Sequence, residues 1–148
     1  MATNTALDTL IELATKGSDD AAKELGRRNR LAAEAQQKLD LLQQFRDDYA
    51  KRFEQSMANG LTASNYRNFQ LFIDKIDSAL GGQQEVVKLA HVRIEEAKVT
   101  WQNCERKRLS YDTLATRARN EAAAAADKRD QKQSDEFAAR MAHYSKKQ

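Results

Sequence analysis

The 148 residues contain no proline, one cysteine, one tryptophan and only five glycines. Without proline, nothing in the chain compels a helix to kink by losing a backbone donor. The single cysteine, Cys104, excludes an internal disulfide, and no neighbouring ligand joins it as a metal set; that usage fits a reducing cytosol. Aromatic residues make up 7%, fewer large apolar side chains than a compact globule of this length usually buries. No apolar run approaches the roughly 20 residues that span a membrane as a helix. The segment from Met1 to Leu10 lacks the basic stretch and apolar core of a signal peptide. Neither sign of charge dominates: 25 basic and 22 acidic residues give a net charge of +3. Intermixed charge of this kind argues against nucleic acid as the main partner.

The residues that usually carry chemistry are equally sparse. No glycine-rich phosphate loop occurs. His91 and His143 are far apart, and neither has a second ligand at metal spacing. Asp19-Asp20 and Asp47-Asp48 are adjacent pairs that point to different sides of a helix, as solvated residues do. The expectation is no catalytic residue, no metal site, no cofactor and no enzymatic activity.

What is present is a long helical repeat. Charged residues make up 32%, and the mixture of Ala, Glu, Lys, Leu, Arg and Gln is that of long helices and coiled coils. A 4-3 spacing from Leu7 visits Ile11, Ala14, Ser18, Ala21, Leu25, Arg28, Ala32, Ala35, Leu39, Leu42, Arg46, Tyr49 and Phe53. Only Ser18, Arg28 and Arg46 are polar. A heptad seam held this long makes two helices supercoil about each other. The seam stops before Asn59-Gly60, a helix-end signal, because glycine accepts the left-handed conformation that follows a C-cap. Ser64 is the expected N-cap of the next helix.

The second seam runs from Tyr66 through Phe69, Ile73, Ile76, Leu80, Gln83, Val87, Ala90, Ile94, Ala97, Trp101, Cys104, Arg108, Tyr111, Ala115, Ala118, Ala122 and Ala125. Gln83 and Arg108 are its polar members. It keeps phase across Gly81-Gly82, although each glycine costs a helix about 1 kcal/mol against alanine. The reading is one continuous helix with a soft spot; the alternative is a three-helix bundle broken there. A short loop between long helices makes them antiparallel. The expected fold class is therefore all-α, a long antiparallel two-helix coiled-coil hairpin. Residues 1–148 form a single domain, with helix 1 over about 4–57, a loop at 58–63, helix 2 over about 64–140 and an overhanging C-terminal tail. Folding at the loop sets Phe53 against Phe69, Tyr49 against Ile73, Leu42 against Leu80, Ala21 against Trp101 and Ser18 beside Cys104. At about 1.5 Å per residue the paired part is roughly 70–80 Å long.

Three groups stand outside the repeat. Phe45 and Phe72 are off the seam, yet share stripes with Leu42 and Tyr49 on one helix and with Ile76 and Ala79 on the other. They either widen the seam or form an exposed aromatic surface for a protein partner. Arg27-Arg28-Asn29-Arg30 and Arg106-Lys107-Arg108 either make a basic patch for RNA or an acidic protein, or simply snorkel beside nearby glutamates. The second of these is favoured. In the tail, Phe137 and Met141 sit four apart among charges. They mark either a solvated end or a docking face that stiffens on a partner.

Taken in order and at this length, several short segments resemble the FliJ family, stalk proteins of the flagellar type III export apparatus. They are Ala6-Leu7-Asp8-Thr9-Leu10, Asp19-Asp20-Ala21-Ala22, Leu25-Gly26, Asn59-Gly60, Ala63-Ser64-Asn65 and Trp101. The most specific is the tail, Asp130-Gln131-Lys132 through Asp135-Glu136-Phe137-Ala138. The resemblance implies a stalk or adaptor that links the hexameric export ATPase FliI to the export-gate membrane protein FlhA. It implies that empty flagellar export chaperones also bind and are recycled. It implies a location in the cytoplasm, peripheral to the inner membrane at the flagellar base. The positions that match the family's gate-binding stripe are Leu42, Phe45, Tyr49, Phe72, Ile76 and Ala79. Lys38 and Gln83 depart from it, standing where relatives can have glutamine and histidine. The stalk analogy assigns the ATPase to the end carrying the termini, with Asp130, Phe137, Arg140 and Met141 as its contacts. Two other readings remain from the residues alone: an RNA-binding helical hairpin, and a general export chaperone.

Overall fold

The computed structural model describes residues 2–147. Helix α1 spans Ala2–Ala58 and helix α2 spans Ala63–Lys146. These are the only regular elements among the described residues. The two helices pack against each other as an all-α antiparallel hairpin, the expected fold class. Helix α2 passes through Gly81 and Gly82 without a break, so the three-helix alternative falls away. A Cβ at either glycine would meet nothing within 4 Å; no neighbour requires a glycine there.

The four-residue connection is built from local hydrogen bonds. Asn59 donates its backbone N–H to the Gln55 carbonyl at 3.2 Å, and Gly60 donates to Met57 at 3.2 Å. Gly60 then turns the chain at φ +87°, in the left-handed region that only glycine enters without strain. Ser64 is not the cap of α2. The helix begins one residue earlier, and Thr62 caps it: the Asn65 backbone N–H donates to the Thr62 hydroxyl at 3.2 Å. The Thr62 carbonyl accepts the first helical bond, from Tyr66, at 3.0 Å.

Packing falls into two compact units, Asp19–Asn103 and Met1–Ser18 with Cys104–Gln148. In the unit that contains the loop, Ala21, Ala32, Ala35, Ile76, Leu80, Val87, Ile94 and Ala97 are buried. Every one is a seam position. The large members, Ile76, Leu80, Val87 and Ile94, all lie on α2, and fully burying a Val, Leu or Ile side chain contributes about 1.5–3 kcal/mol. In the other unit Ala14 and Ser18 are buried, while Leu7, Ile11, Cys104, Arg108, Tyr111, Ala115 and Ala118 are half-buried. Ala122 and Ala125 were expected on the seam but are exposed. The last half-buried seam residue of α2 is Ala118. Beyond it, α2 stays helical to Lys146 with almost every side chain in solvent.

Each polar residue on the seam has a partner. The Ser18 hydroxyl donates to the Glu105 carboxylate on the other helix, one residue from the expected neighbour Cys104. Arg46 pairs across the helices with Asp77. Gln83 donates its side-chain amide to the backbone carbonyl of Ala35 at 2.9 Å. Arg28 and Arg108 are satisfied along their own helices, by Glu24 and by Glu105 and Asp112. Among the described residues no buried side-chain nitrogen or oxygen lacks a partner. A buried polar group left unpaired costs about 1–3 kcal/mol, so a one-heptad slip would break all three cross-helix bonds at once.

The Arg108 guanidinium, and after it the Ser18 hydroxyl, hold the Glu105 carboxyl down at about 2, against an ordinary value of 4.5. The folded value lies below the unfolded one, so the ionised carboxylate stabilises the fold above pH 4.5. That stabilisation is lost as pH falls towards 2. The melting temperature should therefore drop across this interval. Glu105→Gln should flatten the drop in part; Glu24, held at about 2 chiefly by its hydrogen bond from Arg27, keeps the remainder. An unchanged slope in thermal melts of the variant would count against the Ser18–Glu105–Arg108 cluster as a stabilising feature.

Candidate functional site

Near the loop, α1 contributes Phe45, Tyr49 and Phe53, and α2 contributes Tyr66, Phe69 and Phe72. Their rings form one continuous cluster. Phe53 lies 5.3 Å from Phe69, as the expected register demands, and 5.6 Å from Tyr66. Tyr49 sits 5.2 Å from Phe69 and 4.6 Å from Phe72. Phe45 closes the series, 6.5 Å from Tyr49 and edge-on to Phe72 at 6.2 Å. These separations are those of favourable aromatic pairs, each contributing about 0.5–1.5 kcal/mol beyond area burial.

The six residues singled out from the sequence divide by exposure. Ile76 is buried at 5% and belongs to the core. Leu42 and Tyr49 are half-buried and form the shoulder. Phe45 and Phe72, at 49% and 39% exposed, present their rings to solvent although they touch each other. Ala79 is exposed. Phe45 and Phe72 therefore widen the seam on one side and show an aromatic face to solvent on the other. The Arg46–Asp77 pair ties the two helices together next to this surface, and Asp77 drives the Arg46 guanidinium further above its already high value. An aromatic surface on helices clamped in this way is preorganised.

Sequence reasoning passed over Leu41 and Leu71, both exposed near the cluster. Their signal was available, since each is a large apolar residue off the seam, and Leu41 lies four residues before Phe45 on the same face of α1. It also treated Phe53, Tyr66 and Phe69 as seam alone, whereas their rings continue the same cluster. In the tail, Asp130, Phe137, Arg140 and Met141 are all exposed, and Tyr144 joins Phe137 and Met141 at helical spacing.

Three of the six cations in the basic clusters are engaged by carboxylates. Arg27 grips Glu24 with two bonds of 2.9 Å, and Arg28 bonds the same carboxylate at 2.9 Å. Arg108 spans Glu105 at 2.9 Å and Asp112 at 3.2 Å. Guanidiniums held by carboxylates offer little to phosphate, which supports the snorkelling reading over the RNA-binding one. Among the described residues no group of three His, Cys, Asp or Glu side chains could hold a metal ion. Among the described residues no helix is long and apolar enough to cross a membrane.

The class defined by these features is an all-α helical hairpin of the coiled-coil type with a stacked aromatic surface beside its loop. Comparison with known proteins agrees. The FliJ family profile, described as flagellar FliJ protein, matches residues 3–147. The flagellar FliJ protein of Salmonella typhi is 31% identical over 142 residues, covering 96% of this chain and 97% of that protein. The flagellar FliJ protein of Escherichia coli strain K12 is 30% identical over 142 residues, with the same coverage. The chain belongs to the FliJ family, and its work lies in flagellum biogenesis and export.

The ring geometry orders the cost of truncation. Tyr49 touches three rings and is half-buried, so Tyr49→Ala should destabilise by about 3 kcal/mol. Phe45 touches two and is half-exposed, so Phe45→Ala should cost only about 1 kcal/mol. Urea unfolding measures both; equal losses would make Phe45 a core residue.

Proposed function

We propose that this chain is a non-catalytic adaptor that couples the flagellar export ATPase, FliI, to the export gate, FlhA, and so promotes export of flagellar proteins. The observation that carries the reading is the pair of half-exposed rings, Phe45 and Phe72, packed edge-on beside the loop of a FliJ-family chain. Rigid aromatics shown to solvent from a braced surface are what interface hot spots are made of. Leu42, Phe45, Tyr49, Phe72, Ile76 and Ala79 form the gate-binding surface. Leu42, Tyr49 and Ile76 support the rings, and Ala79 leaves room for the partner to approach.

The unpaired end of α2 is the ATPase-binding segment. Phe137 and Met141 have no α1 residue against them, and Asp130 and Arg140 supply charge on either side. An amphipathic helix with nothing to cover it gains from a partner groove. In the free protein the segment from about Asp127 onward is the part that frays most easily, because it is held by helix propensity alone. Unloaded export chaperones are a third class of partner. The site of action is the cytoplasmic side of the inner membrane at the flagellar base, reached through these partners.

Phe45→Ala and Phe72→Ala should each weaken FlhA binding by about 2 kcal/mol or more, roughly 30-fold, with helicity retained. Ile76→Ala should weaken it too, but with a lower melting temperature, since Ile76 is buried. Normal FlhA binding by a Phe72→Ala protein that melts early would remove the gate assignment.

Deleting residues 130–148 should leave the melting temperature nearly unchanged, because the buried seam ends near Ala118. It should weaken FliI binding and spare FlhA binding. Titration of the truncated protein against each partner decides this; loss of FlhA binding with FliI retained would invert the two assignments.

A further inference from the structure

Charge is unevenly spread along this chain. All 22 acidic residues precede Phe137, and so do all but three of the 25 basic ones. The chain up to Glu136 is therefore neutral overall, and the net charge of +3 resides in Arg140, Lys146 and Lys147. Among the described residues none of these three pairs with a carboxylate. Lys146, in the last turn of α2, complements the negative end of the helix dipole. The dipole does not account for Arg140, which lies before that turn, or for the lack of any acid from Phe137 onward.

The same segment carries an uncovered apolar stripe. Phe137, Met141 and Tyr144 stand at i, i+4 and i+7 on one helix face, 61%, 54% and 68% exposed. At about 3.6 residues per turn, Arg140 and Lys147 run along one edge of that face, and Ala138 and Ser145 along the other. A partner that covers the stripe meets cations on one edge and small neutral side chains on the other. An anionic bilayer would meet both edges alike, and a second copy of the segment would set cation against cation. Resting on the reading that this segment binds the export ATPase, we propose that the surface receiving it is an apolar groove with one acidic wall. Asp or Glu side chains on that wall face Arg140 and Lys147, and the opposite wall approaches closely over Ala138 and Ser145.

The test titrates the full chain against the purified ATPase at several salt concentrations. Affinity should fall about tenfold between about 50 mM and about 500 mM salt, since exposed ion pairs are screened. A triple variant, Arg140→Gln with Lys146→Gln and Lys147→Gln, should bind about tenfold more weakly at low salt and lose most of the salt dependence. Glutamine is as good a helix former as arginine or lysine, so circular dichroism should show the helix retained. Arg140→Lys should bind nearly as the parent does, and Lys51→Gln, a neutralisation outside the segment, should change nothing. If the triple variant binds as the parent does while deletion of residues 130–148 abolishes binding, the acidic wall is overturned and the ATPase assignment of the tail stands. If the deletion binds normally, both fall. Flotation of the full chain with phosphatidylglycerol vesicles, lost in a triple variant that still binds the ATPase normally, would overturn the proposal in favour of a lipid surface.

Discussion

Everything in this molecule depends on a single seam. Two helices can bury only one stripe each, and here the stripe recurs every 3.5 residues from Leu7 to Phe53 and from Phe69 to Ala118. In the loop-containing unit the fully buried α1 positions are alanines, and the large buried side chains lie on α2. That choice lets the helix backbones approach closely while leaving little to spare for a wider core. The surplus of apolar side chains has nowhere to go inward. Phe45, Phe72, Leu31, Val86 and Leu89 are exposed as a direct result. In a two-helix layer, surface chemistry follows from what the seam declines to bury.

A seam built largely of alanine and aliphatic residues has a weakness, which is that one heptad resembles the next. The polar positions remove the ambiguity. Ser18–Glu105, Arg46–Asp77 and Gln83–Ala35 each join α1 to α2 at a fixed height. Their value lies less in added stability than in the penalty they impose on every wrong alignment, the best attested use of polar groups in coiled-coil cores. The aromatic cluster adds a further fixed point near the loop, since rings of that size interlock in one alignment only.

Much of this was legible in the residues. The heptad positions were visible because leucine, isoleucine and alanine recur without a slip; Phe53 took Phe69, the partner that a simple fold at Asn59-Gly60 implies, and Ser18 took Glu105, one residue from the expected Cys104. The apolar off-seam pair Phe45 and Phe72 was visible for the complementary reason, as large residues out of phase. The cap was misplaced because Thr62 and Ser64 are chemically alike as caps; only the backbone turn at Gly60 decides which hydroxyl meets a free N–H. The alanine run misled in a similar way. Ala122 and Ala125 keep the period but are exposed, and period alone cannot report burial.

Gly81 and Gly82 give the hairpin a property that its contacts alone do not convey. Both face open space, so alanine would fit sterically at either position and would strengthen the helix. Two adjacent glycines lower the local stability of α2 by about 1 kcal/mol each against alanine, although the helix runs through them unbroken. Local opening of the backbone hydrogen bonds around Gly81-Gly82 is therefore easier than a pair of alanines would allow.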